Sequence, residues 1–274
     1  MRALLNTIAL EPNRWTKDKI PAHDLEKDLL PRIQNAGFTQ VEIWQHHLSH
    51  KSIEEIRSLA KTARRMGITF PVIGAYPVFH LEGAEAEKQR SELTQLVFQA
   101  EELGTKWIKI FFGRLKGSEV TPAQLDLSLL HAREWLSYGR SKGLDFSVEL
   151  HAGTLFEPYA YGINLLREHP ELDLKICFQP YAENTTVDCV KIIRELGPRI
   201  VHAHFGSPRA QDTRTEMTET IVRELQKANP NFMPSIEFVP NGFPAAGQAF
   251  NFDAALTDAV SLASFIEKAR VGVD

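Results

Sequence analysis

Cysteine is scarce in this chain, with two in 274 residues, and Cys177 and Cys189 do not form a CxxC pair. Both fall on expected buried elements, which fits small core hydrophobes in a reducing compartment and gives no disulfide framework. An excess of one charge is also missing. Lys+Arg number 31 against Asp+Glu 35, with a sequence pI near 6.2, so no basic field is available to attract nucleic acid or anionic lipid. No apolar run approaches a membrane-spanning length, and Asn6 and Glu11 interrupt the N-terminal segment. No GxGxxG follows the first expected strand and no GxxxxGKS/T occurs, which argues against dinucleotide-binding and P-loop folds. The expectation is a cytoplasmic, soluble protein whose partner is a small molecule; a homo-oligomer stays open.

What is present is an alternation of short β-branched runs with longer helical stretches, the pattern of a parallel sheet with crossover helices. Strands are expected at Ala3 to Leu10, Phe38 to Trp44, Thr69 to Ala75, Trp107 to Phe112, Asp145 to Leu150, Leu174 to Phe178, Ile200 to Phe205 and Met233 to Val239. The helix over Asp24 to Ala36 stops at Gly37, and Ser52 with Glu55 forms a capping box for a helix that closes at Gly67. Glu85 to Leu103 stops at Gly104, and Thr121-Pro122 starts a helix that ends at Gly143. Further helices are expected near 159–169, 186–196, 213–228 and 252–270. Eight strands, a helix after each, and no low-complexity linker favour one closed (β/α)8 TIM barrel over an open doubly wound sheet, with residues 1–274 as a single domain.

Buried barrel strands should read as nearly continuous apolar runs, so polar residues within them carry the information. Five stand out: Glu42 in VEIW, Glu149 in SVELH, Gln179 in ICFQP, His204 in HAHFG and Glu237 in SIEF. The last four lie on consecutive strands five to eight, whose ends sit side by side around the mouth. A shared divalent ion is the simplest reason for such convergence, since an isolated carboxylate in a barrel core is costly. Two carboxylates, an imidazole and an amide oxygen suit Mn2+, Mg2+, Co2+ or Zn2+, and the absence of thiolates argues against structural zinc. His202, two residues before His204, is an alternative ligand or a core histidine, and alternation does not choose between them. Glu42 divides between substrate contact and paired core carboxylate. Lys109 points into the barrel or toward a helix and could pair with a strand carboxylate. His151, just past Glu149, is a candidate for substrate contact.

The strand endings VEIW, VELH, HAHFG and SIEF, in that order and spacing, resemble the xylose-isomerase-like superfamily of sugar isomerases and epimerases, hydroxypyruvate isomerase, and inosose isomerases and dehydratases. The likeness extends over essentially the whole chain. It implies a metal held by Glu149, Gln179, His204 and Glu237, with the two glutamates acting as acid and base on opposite faces of a sugar. It also implies that Arg209 in HFGSPR orients substrate. This chain departs from the family on strand six, where Gln179 and Ala182 stand in place of an aspartate and a histidine.

The function expected from these readings is a divalent-metal-dependent isomerase or epimerase. It would act on a sugar or polyol ketone by removing a proton next to the carbonyl, through an ene-diolate. The alternative is a dehydratase of the inosose or dehydroshikimate type, in which His151 or His202 serves as acid. A trinuclear zinc nuclease is disfavoured by the shortage of strand-end histidines and aspartates.

Overall fold

The computed structural model describes residues 3–180, 184–206, 215–242 and 249–271. Eight strands run in parallel and close on themselves in sequence order: β1 (Leu4–Asn6), β2 (Gln40–Trp44), β3 (Thr69–Ala75), β4 (Trp107–Ile110), β5 (Asp145–Glu149), β6 (Lys175–Phe178), β7 (Ile200–Phe205) and β8 (Met233–Ile236). The ring closes where Leu4 and Leu5 of β1 pair with Ser235 and Ile236 of β8. Helices follow every strand: α1 (Leu30–Asn35), α2 (Ile53–Arg65), α3 (Gly83–Leu103), α4 (Pro122–Ser141), α5 (Tyr159–Glu168), α6 (Thr186–Leu196), α7 (Thr215–Ala228) and α8 (Phe252–Val271). The chain is a (β/α)8 TIM barrel.

Local chemistry accounts for the boundaries. Ser52 accepts from the Glu55 amide while Glu55 accepts from the Ser52 amide at 2.8 Å, closing the capping box that starts α2. Ile56, Leu59, Ala60 and Ala63 then form its buried stripe against the barrel. Thr121 and Gln124 start α4 the same way, with Pro122 in the first turn. α3 ends at Gly104, in the left-handed region at φ 70°.

β4 and β8 end earlier than expected, at Ile110 and Ile236, and two elements near the start of the chain differ in kind. The first strand ends at Asn6 rather than Leu10, because the Asn6 side chain accepts from the Ile8 amide and turns the chain into a 3-10 turn over Thr7–Leu10. The helix expected from Asp24 begins as a π turn over Leu25–Leu29, with Asp24 accepting from the Lys27 amide, and becomes α-helical only at Leu30. No helix among the described residues is long and apolar enough to cross a membrane, and Cys177 and Cys189 are buried and not joined in a disulfide.

Interior residues follow the strand period of two. Register places Gly74, Lys109 and Ser147 side by side on β3, β4 and β5, and Glu149, Cys177 and His202 side by side on β5, β6 and β7. Gly74 makes room for its neighbours: a Cβ there would lie 3.3 Å from Lys109 Cε and 3.4 Å from Glu42 Oε1. At the carboxyl end of the barrel, Gly206 sits at φ 114°, where a Cβ would fall 1.8 Å from the Phe238 carbonyl oxygen.

Gly206 therefore admits no side chain, since backbone strain and a backbone clash coincide. Gly206→Ala is expected to cost about 3 kcal/mol. Gly104→Ala, with positive φ but open space around it, should cost about 1 kcal/mol. Thermal unfolding of the two variants checks the difference, and equal losses would show that the β7–β8 end is looser than described.

Candidate active site

Polar and charged side chains fill the barrel interior toward its carboxyl end. Glu42, Lys109, Glu149 and His202 are fully buried, while His204 is 2% and Glu237 4% exposed. Each therefore depends on its neighbours for the solvation that water would otherwise supply.

At the bottom of this cluster is Glu42, which accepts from Ser235 Oγ at 2.6 Å and lies 3.1 Å from His204 Nε2. His202 Nε2 is also 3.1 Å from Glu42 Oε2, close enough for an ion pair but not aligned for a hydrogen bond. Burial alone would raise the Glu42 pKa, yet the two imidazoles outweigh burial and hold it well below the usual carboxylate range. Both Glu42 oxygens are thus occupied. The structure supplies the partners of a core carboxylate rather than an open face for substrate.

Above Glu42, His204 joins two layers. Its Nε2 faces Glu42, and its Nδ1 lies 3.2 Å from Glu237 Oε2, 3.6 Å from Glu149 Oε1 and 3.1 Å from Gln179 Oε1. Burial lowers its pKa, but Cys177, Glu237, Glu42 and Glu149 together outweigh burial and hold His204 protonated well above its ordinary value. His202 lies one layer lower. Burial lowers its pKa, but the Cys177 sulfur and Glu42 more than compensate and push it up to about 9. Cys177, His202 and His204 form a second group of potential ligand atoms within 4.8 Å, sharing His204 with the group of Glu149, His204 and Glu237. Glu42 already engages His202, whereas the group of Glu149, His204 and Glu237 opens at the strand ends.

Gln179 completes the upper layer. The inward-facing atom of its amide lies 2.5 Å from Glu149 Oε1, 3.2 Å from Glu237 Oε2 and 3.1 Å from His204 Nδ1. With oxygen in that position it faces other ligand atoms only. Turning the amide places an NH2 there, which serves the two carboxylates but then faces the Nδ1 hydrogen of protonated His204. A cation among the four satisfies all of them at once, and the donor set of two carboxylates, one imidazole nitrogen and one amide oxygen is chemically suited to a divalent ion. The Nε2 contact with Glu42 has the form of a carboxylate–histidine pair that would aim Nδ1 at such an ion.

Lys109 lies against the outer side of this layer. Its Nζ is 2.5 Å from Glu149 Oε2, with both side chains fully buried. Burial would neutralise each, but mutual attraction prevails, so Lys109 is held well above and Glu149 well below its ordinary pKa. The ammonium also lies 4.9 Å from the ring centres of Tyr76 and Phe111. His151 stacks on Phe111 with ring centres 4.4 Å apart, at the mouth, and its Nδ1 is 2.6 Å from the Ala152 carbonyl. Arg209 lies outside the described residues.

Six of the eight sequence candidates thus converge, namely Glu42, Lys109, Glu149, Gln179, His204 and Glu237, while His151 lines the rim. Ser235, Cys177, Tyr76 and Phe111 join them without having been singled out as site residues. Tyr76 and Phe111 could have been noticed as aromatics directly after β3 and β4.

The matches to known proteins agree with this architecture. A family model described as xylose isomerase-like TIM barrel matches residues 30–205. Among solved structures, D-psicose 3-epimerase in the presence of D-fructose is similar at TM-score 0.76 and 15% identity, covering 99% of this chain and 100% of that one. The probable 3-DHS dehydratase involved in petrobactin synthesis from Bacillus anthracis gives TM-score 0.68 and 18% identity, covering 96% and 99%. A xylose isomerase-like TIM barrel protein from Mycobacterium smegmatis, in complex with magnesium, gives 0.65 and 12%, covering 98% and 97%. At these identities the likeness shows the fold. No curated protein sequence matches the chain.

The buried Lys109–Glu149 pair sets a stability expectation. Lys109→Met leaves a carboxylate buried without its ammonium and should cost about 3–5 kcal/mol in metal-free protein. Lys109→Met combined with Glu149→Gln should recover most of that loss. Urea unfolding of the two variants checks this, and an unrecovered double variant would place the cost in packing rather than charge.

Proposed function

The chain belongs to the xylose isomerase-like TIM-barrel family, and from that premise we propose that it is a divalent-metal-dependent isomerase or epimerase of a sugar or polyol ketone. The observation that carries this reading is the convergence of Glu149, Gln179, His204 and Glu237 on one point at the strand ends. These four residues would hold the ion. When bound, it supplies positive charge to a carbonyl and its neighbouring hydroxyl and so offsets the negative charge that develops as a carbon-bound proton leaves.

The chain's own residues then divide the proton chemistry unequally. Glu149 has Lys109 on Oε2, which makes it a weak proton acceptor. Glu237 approaches from β8, across the ligand cluster from Lys109, with His204 at 3.2 Å. Glu237 is the better base for the first abstraction, and Glu149 serves the other face. Lys109 steers Glu149 by fixing one oxygen and leaving the other toward the site. Glu42 and Ser235 fix the ring of His204 from below. A dehydratase would use the same abstraction and then require an acid over a departing hydroxyl. His151, stacked on Phe111 at the rim, would be that acid, while His202 lies a layer deeper and faces Glu42.

Two outcomes are expected. Metal analysis should show Glu149→Gln with Glu237→Gln losing bound Mn2+. Calorimetry should show Gln179→Asp binding Mn2+ about tenfold more tightly, because a third carboxylate charge faces the ion. Uptake must displace the proton that His204 carries without a cation, so affinity should fall as pH is lowered. Unchanged affinity in Gln179→Asp would remove Gln179 from the ligand set.

The second outcome concerns the reaction. In D2O, with a panel of ketoses and inososes, the protein should incorporate deuterium beside the carbonyl. Product of unchanged composition, apart from deuterium, supports the isomerase; loss of water supports the dehydratase. Glu237→Gln should reduce exchange by about 100-fold or more. If exchange persists at full rate in that variant, Glu237 is not the base.

A further inference from the structure

The side of the mouth opposite the ligand cluster carries two positive side chains. Lys19, in the loop after β1, and Arg114, just past β4, both lean over Tyr76, with Lys19 Nζ 5.7 Å and the Arg114 guanidinium carbon 5.9 Å from its ring centre. Arg114 is also 5.7 Å from the Phe111 ring. These distances lie at the outer limit of cation–π attraction, which is too weak to explain bringing two like charges together. No carboxylate of the described residues pairs with either. Burial, and after it the charge of Arg114, lowers the lysine's pKa.

Lys19 is half-buried and Arg114 exposed, and the backbone that carries the lysine is fixed. Its backbone is in the left-handed region at φ 47°, and its loop is clamped by the fully buried carboxylate of Glu11, which accepts from the Ala22 amide at 2.7 Å and the His23 amide at 3.3 Å. A separate observation points to the same place. His46, whose ring is nearly parallel to that of Tyr76, has a buried Nε2 with no hydrogen-bond partner. The charges of Lys19 and Arg114 reach it and help to keep it neutral, although burial is the larger cause.

Two converging cations and an unspent imidazole nitrogen make a receptor for an anion. We propose that the substrate bears a carboxylate or phosphate at the end remote from its reacting carbons, received by Lys19 and Arg114 over the ring of Tyr76. This rests on the reading of the strand five to eight ends as the reacting centre. Tyr76 also touches Lys109, so one aromatic ring separates the anion from Glu149's partner, a span suited to a small acidic sugar or acidic polyol ketone. A neutral ketose would leave both cations unpaired.

The test is calorimetric titration with D-fructose, D-fructuronate and D-fructose 6-phosphate, each with Mn2+ and again with EDTA. The better-bound of the two anions identifies the group. It should bind about tenfold or more tightly than fructose, with a preference that shrinks as salt is raised. Lys19→Gln with Arg114→Gln should bring the ratio close to one, while Lys19→Arg with Arg114→Lys should keep most of it. Equal binding of all three sugars, no measurable binding of either anion, or a ratio that survives the double glutamine change would overturn the proposal. An anion preference that persists in EDTA, in protein that shows no deuterium exchange, would uphold the anion site while the metal reading fails. Exchange without anion preference would do the opposite.

Discussion

A carboxylate inside a barrel wall of valine, isoleucine and leucine persists only if other charges replace the water it lost, and this constraint organises the whole interior. Glu42 is held by His202, His204 and Ser235, and Glu149 by Lys109. Removing any one partner leaves a charge that the low-dielectric interior penalises heavily. The lower part of the cluster is therefore closed and rigid. At the top, Glu149, Gln179, His204 and Glu237 bring four ligand atoms together at the strand ends, where the proposed ion would sit.

The barrel makes this arrangement through two geometric rules. Side chains two residues apart on a strand share a face, so His202 and His204 both point inward, one layer apart. Neighbouring parallel strands bring paired residues side by side, and the tilt of the strands staggers their depth, so Glu149, Cys177 and His202 adjoin across β5, β6 and β7 while His202 lies a layer below His204. The helices hold the strands at that depth: capped starts and buried stripes such as Ile56, Leu59 and Ala63 on α2 seat each helix against the wall. Space matters as much as charge, since Gly74 leaves the volume in which Lys109 and Glu42 meet.

The mouth is divided by this geometry. Strands five to eight contribute oxygen and nitrogen ligand atoms with excess negative charge. Strands one to four and the loops after them contribute Tyr76, Phe111, Lys19, Arg114 and His46, with excess positive charge. Under the proposed reading, a molecule whose carbonyl is met through a cation held by the ends of strands five to eight, and whose anion meets Lys19 and Arg114, would match both halves and be bound in one orientation.

The periodic hydrophobic runs, the capping box at Ser52 and the stops at Gly37, Gly67 and Gly104 were sufficient to read eight β/α units and a closed barrel. They are local features, and local chemistry determines helix ends and strand faces. The identities of Glu149, Gln179, His204 and Glu237 were legible for a related reason: polar residues in strands that must be buried announce a special environment. Pairing was a different matter. Whether Glu42 met substrate or histidine, whether Lys109 faced inward, and which of His202 and His204 stood at the open end depended on side-chain depth and on partners as many as 193 residues away. The meeting of Lys19 and Arg114 over Tyr76 was hidden for the same reason, since three loops must be folded before their charges share a ring. Sequence determines which groups exist and which way each strand faces them, while the closed tertiary structure decides which charges become neighbours, because electrostatic partnership depends on distance through space rather than along the chain.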